Sequence, residues 1–172
     1  MTSKAEILEA ALMVLRHGEP LTIDAVARRA GLTKPGVVHH FATKEALAVA
    51  VVDRVLDRWE EQLLVRAGKD AGPRENLRAY VDYALMGELD GADLALLADA
   101  RLRDRLSERW ASRMNLWFGS TDAESDPSFT SARLIADGAW IDRCLGMFDL
   151  SAQKRAAITT VALGLIDEGA PK

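Results

Sequence analysis

Residues 22–47 read TIDAVARRAGLTKPGVVHHFATKEAL, and their order predicts two short helices joined by a tight turn. Thr22 opens the first, with Ile23, Val26, Ala27 and Ala30 on its inward side. Gly31 stops it, because the turn Ala30-Gly31-Leu32 needs a backbone conformation that a Cβ resists. Thr33 then caps the second helix, with Lys34 and Pro35 in its first turn. Proline is harmless there, since first-turn amides have no acceptor within the helix. Ile23, Val26, Ala27, Leu32, Val37 and Phe41 can pack together and fix the angle between the two helices. The result is a helix-turn-helix spanning about Thr22 to Phe41.

The second helix is expected to expose Thr33, Lys34, Pro35, Gly36, His39 and His40, short or polar groups suited to base edges. Lys34, Thr33 and His39 are the candidates for base readout, with Gly36 permitting close approach. Helix N-termini at Thr22, Thr33 and Thr43 offer amides and partial positive charge to phosphates, and Lys34 and Lys44 add full charges. The expected partner is therefore double-stranded DNA, bound with a strong dependence on salt.

Working outward, helical spacing continues almost everywhere. Ser3 and Glu6 form a capping box before Ile7, Leu8, Ala11, Leu12 and Leu15, and His17 is placed to cap the end of that helix. A long helix starts at Thr43 and carries Leu47, Val51, Val55, Trp59 and Leu63 to about Arg66. AGKDAGP, 67–73, is the clearest break, and further helices follow from Pro73, at about 92–99, through Leu106 and Trp110, from Pro127 to about Phe148, and from Ser151 to Asp167. This is an all-α chain of about nine helices. A helix-turn-helix domain at 1–45 precedes a helical ligand-binding and dimerisation domain at 46–172.

The chain has 172 residues, 49% hydrophobic and 28% charged, as in ordinary globular proteins. No apolar run is long enough for a bilayer, and MTSKAEILEA lacks the pattern of a signal peptide, so no membrane association is expected. Cys144 is the only cysteine and is read as a small core hydrophobe, which fits a reducing, cytoplasmic setting. The net charge of -4 hides an asymmetry. Residues 1–44 carry six basic and four acidic side chains and all three histidines; the remainder carries 16 basic and 22 acidic ones. A basic head on an acidic body suits a DNA-facing module, although so small an imbalance decides nothing alone.

Enzyme chemistry has no foothold: there is no Gly-rich phosphate loop, nucleophile elbow or Cys/His triad. His39 and His40 point about 100° apart on a helix and lack a nearby ligand partner, so neither a metal nor another cofactor is expected.

Thr22-Ile23, Val26-Ala27, Ala30-Gly31-Leu32-Thr33-Lys34, His40-Phe41, Lys44 and Leu47 together resemble the TetR family of bacterial regulators. In size the chain is similar to the family's short repressors of multidrug efflux pumps. The resemblance implies a homodimer, an operator of inverted symmetry, and a repressor released when a small-molecule effector moves the long fourth helix. One departure stands out. The family usually has a tyrosine two or three residues before Phe41, where this chain has Val38 and His39, so that tyrosine's phosphate contact is either absent or supplied by His39.

For the effector, a small apolar or cationic molecule, the expected lining is Trp59, Tyr83, Met86, Asp99, Trp110, Met114, Trp117 and Trp140. Aromatics at helical spacing also simply fill cores, and a tightly packed body would favour a helix-turn-helix DNA-binding or interaction protein without an inducer. The last two helices are the expected self-association surface. The first has one apolar stripe at Phe129, Ala132, Ala136, Trp140, Cys144 and Met147 and a second at Leu134, Gly138, Ile141, Leu145 and Phe148. The last contributes Ile158, Val161, Ala162 and Leu165.

Overall fold

The computed structural model describes residues 3–95, 103–118, 126–148 and 150–168. Among them are nine helices and no strand. These are α1 (Lys4–Arg16), α2 (Ile23–Ala30), α3 (Lys34–His40), α4 (Lys44–Ala67), α5 (Pro73–Met86), α6 (Ala92–Ala95), α7 (Arg103–Phe118), α8 (Pro127–Leu145) and α9 (Ala152–Glu168). No described helix is long and apolar enough to cross a membrane. Two compact units divide the chain, one of Met1–Asp57 with Asp90–Trp110 and one of Arg58–Leu89 with Ala111–Lys172. The division thus falls within α4 and α7, whereas the boundary expected at 45/46 lies in the first turn of α4.

In the first unit, α1 begins with the reciprocal capping box: Glu6 N–H donates to Ser3 Oγ, and Ser3 N–H donates to the Glu6 carboxylate at 2.6 Å. Those bonds favour the charged carboxylate and hold its pKa below the ordinary value. Ile7, Ala10, Ala11, Leu12, Val14 and Leu15 are buried. His17 Nδ1 donates to Met13 O and closes the last turn. Arg16 pairs with Asp90 at 2.5 Å, and the same carboxylate accepts from Ala92 N–H at the start of α6, so one side chain ties α6 to α1.

Helices α1, α2 and α3 pack through Val26, Ala27, Val37 and Phe41, all buried; Ile23 and Leu32 are only half-covered. Gly31 takes φ 66° and ψ 29°. Its amide and that of Leu32 return to the Arg28 and Ala27 carbonyls, a Schellman closure that turns the chain sharply into α3. Val37 is wholly inaccessible, and burying such a side chain contributes about 1.5–3 kcal/mol. The α2–α3 angle is therefore set by core packing as well as by the turn.

In the second unit, α5, α8 and α9 pack against one another. Leu77, Tyr80, Val81, Ala84 and Leu85 bury one face of α5, and Phe129, Ala132, Ala136, Ala139 and Trp140 bury one face of α8. Polar bonds fix the helix ends. Arg143 in α8 donates to Ala84 O and Gly87 O at 2.7 and 2.6 Å, satisfying carbonyls left open where α5 stops. Arg74 in α5 likewise donates to Ile166 O in the last turn of α9. Helix α8 ends at Leu145, three residues before the expected Phe148. Gly146 adopts φ 61° there, and Met147 N–H turns back to Asp142 O.

Candidate nucleic-acid interface

Three successive helices start on threonines. The Thr22, Thr33 and Thr43 hydroxyls accept from the amides of Ala25, Gly36 and Ala46 at 3.0, 3.3 and 3.0 Å. Each therefore holds a helix N-terminus in place with no other molecule present. On α3, Thr33, Lys34, Pro35 and His39 are exposed, while Gly36 and His40 are half-buried. A Cβ on Gly36 would lie 3.4 Å from Thr33 Oγ1, so the cap itself takes up part of the space there. His40 packs edge-on against His39, with ring centroids 5.3 Å apart. Lys34 Nζ donates to the exposed Asp24 carboxylate at 2.9 Å. Lys44 is half-buried and Thr43 exposed.

Val38 is exposed on the same helix, next to the exposed His39 in sequence. The sequence named it only as a departure from the family's tyrosine, not among the DNA-facing residues. A branched hydrocarbon on a reading helix suits a thymine methyl, which is apolar contact rather than hydrogen bonding.

The residues expected to line a ligand pocket behave differently. Trp59, Tyr83, Met114 and Trp140 are buried, while Met86 is exposed. Trp59 is surrounded by other rings, with centroids 4.7 Å from Tyr83, 5.4 Å from Trp140 and 5.5 Å from Tyr80. These aromatics fill one another's space, Trp59 meeting Tyr83 and Trp140 edge to face and Tyr80 at a tilt. Tyr80 also donates its hydroxyl to Asp137 at 2.6 Å, and Arg133 holds the same carboxylate. Trp110 belongs to the first unit, Trp117 is half-buried in the second, and Asp99 lies outside the described residues. Two grooves of about 350 Å³ each occur in the second unit, lined by other residues: Arg66, Glu75, Arg78, Asp82 and Leu163 in one, and Asp142, Arg143, Phe148 and Arg155 in the other.

On α8, Leu134, Gly138, Ile141 and Leu145 are exposed, opposite the buried stripe. On α9, Val161 is exposed and Ile158 and Leu165 are half-buried. Ala162, expected on the same surface, is wholly buried within its own unit and offers nothing to a partner.

The sequence profile of the bacterial regulatory proteins of the tetR family matches residues 7–51, covering α1, α2, α3 and the start of α4. The profile for the tetracyclin repressor-like C-terminal domain matches residues 74–167, more than half of the chain. The chain belongs to the TetR family. It is a DNA-binding transcriptional regulator with the family's N-terminal helix-turn-helix and C-terminal helical domain.

Solved TetR-like structures share the fold at low identity. A transcriptional regulator from Rhodococcus sp. Rha1 superposes with a TM-score of 0.74 at 18% identity, over 98% of both chains. A TetR family transcription regulator from Marinobacter aquaeolei VT8 gives 0.66 at 20% identity, over 94% of this chain and 93% of that one. A TetR-family regulator from Streptomyces coelicolor gives 0.56 at 22% identity, over 97% of each. No curated protein matches the sequence.

Proposed function

We propose that two copies of this TetR-family chain place their α3 helices in successive major grooves of an inverted-repeat operator and repress transcription there. The observation that carries the reading is α3 itself. Its threonine-capped N-terminus exposes Lys34, Pro35, Val38 and His39, and the capped starts of α2 and α4 flank it in sequence. In a two-fold dimer the reading helices meet DNA about 34 Å apart, one helical turn. The partner surface is the exposed stripe Leu134, Gly138, Ile141 and Leu145 of α8 with Val161 of α9.

Release by a small apolar or cationic molecule would act through α4, one continuous helix whose residues belong to both units. The mutual packing of Trp59, Tyr80, Tyr83 and Trp140 favours a second reading, a DNA-binding regulator without such an inducer. Operator selection from random duplex DNA, repeated with a panel of apolar cations, tests both. Enrichment of a two-fold symmetric site supports the first proposal, and absence of any enriched sequence overturns it. If no cation changes operator affinity, the inducer-free reading holds.

A further inference from the structure

Half of the exposed face of α3 is hydrocarbon. Lys34, Pro35, Val38 and His39 are exposed along that helix, whereas Val37 is wholly buried. Pro35 and Val38 stand three residues apart, so they are neighbours on the helix surface. The two polar residues beside them are engaged elsewhere. Lys34 Nζ donates to Asp24 of α2 at 2.9 Å, and the His39 ring meets the His40 ring edge-on at 5.3 Å. Val38 is left 39% exposed. A valine in a helix strongly prefers one rotamer and a proline ring is rigid, so this apolar surface keeps its shape without a partner.

Hydrocarbon on the reading helix of a DNA-binding regulator has one good counterpart in the major groove. The base edges there present hydrogen-bond donors and acceptors, and the bulky apolar group among them is the C5 methyl of thymine. Cytosine lacks that methyl and gains the same group when its C5 is methylated. Lys34 and His39 can bond to acceptors on the duplex, but Val38 can neither donate nor accept, and Pro35 has no N–H to give. What these two residues can do is bury a methyl group.

We infer that Val38, with Pro35 beside it, reads a 5-methylpyrimidine in each operator half-site. The regulator would then tell thymine from uracil, and methylated from unmethylated cytosine, by the methyl group itself. The inference rests on the proposed docking of α3 in the major groove and adds to it the chemistry of one base position. Lys34 would supply charge there, whereas Val38 would supply selectivity through burial. Replacing the methyl by hydrogen should cost about fourfold in affinity, the equivalent of one buried methyl group.

The test uses the full chain and the operator enriched from random duplex DNA, read by fluorescence anisotropy. Each thymine of the half-site is replaced in turn by deoxyuridine, which keeps every hydrogen-bonding group and lacks only the methyl. At one position the wild-type chain should bind about fourfold more weakly for each methyl removed. With cytosine placed there, methylating its C5 should strengthen binding by about the same factor. Val38→Ala, which shortens an exposed side chain, should keep its helical content and bind the thymine and deoxyuridine operators alike at that position. If no thymine responds, or if the response is undiminished in Val38→Ala, the inference is overturned while the enriched operator still supports the docking of α3. Failure to enrich any operator would overturn the docking itself, and this inference with it.

Discussion

Gly87 lies so close under the Tyr83 ring that a Cβ added to it would stand 2.2 Å from Tyr83 Cδ2 and 2.7 Å from Tyr83 O. The ring cannot swing aside freely, because Trp59 packs edge-on against it and the Arg66 guanidinium lies 4.9 Å from its centre. Gly87→Ala should therefore destabilise the fold by about 1–3 kcal/mol, as overpacking does. Urea unfolding of the variant, with a lowered midpoint and an unchanged slope, is the check. An unshifted midpoint would show that the end of α5 relaxes.

Lys34 and Asp24 form a contact that the proposed docking on DNA would displace. Lys34→Ala should weaken operator binding and lower the salt slope by about one. Lys44→Ala should act in the same direction. Asp24→Asn, which frees Lys34, should strengthen binding by less than about tenfold. Fluorescence anisotropy at several salt concentrations separates these outcomes, and an unchanged slope in both lysine variants would rule out the proposed docking face.

Tyr80 gives a signed pH prediction. Burial, and then the Asp137 carboxylate, push its pKa well above the ordinary value. A raised folded pKa means that the contribution is complete below the unfolded value of about 10 and is lost as pH rises beyond it. Thermal denaturation from neutral to alkaline pH should show a steeper loss in wild type than in Tyr80→Phe. Parallel curves would contradict this.

Ile141→Asp would place a charge in the exposed apolar stripe of α8, between Gly138 and Leu145. Sedimentation should show a dimer for wild type and a monomer for the variant, with helical content unchanged. A dimeric variant would move the interface elsewhere.

What the sequence made legible was local chemistry. Ser3 with Glu6, Thr33 with Gly36, and Gly31 after Ala30 each act over three or four residues, so their spacing alone announces the bond. The same holds for the two faces of α8, since burial follows a helical period. Long-range partners were not legible. Arg143 reaches Ala84 across 59 residues, and nothing in either neighbourhood names the other. Trp59 looked equally suited to lining a pocket or filling a core, because the choice depends on how α5 and α8 bring Tyr83 and Trp140 beside it. Val38 was read only as a departure from the family's tyrosine, because two adjacent valines give no local sign of which one the packing of α2 on α3 covers.

The threonine caps have a consequence for the entropy of binding. A hydroxyl that accepts an amide proton has its own proton left to give, and accepting polarises that O–H toward a stronger donor. In the proposed docking, Thr22, Thr33 and Thr43 would be oriented before any phosphate arrives, on rotamers already held by their own helices. Docking on that face would then freeze little that was loose, so the proposed recognition would be largely preorganised rather than induced.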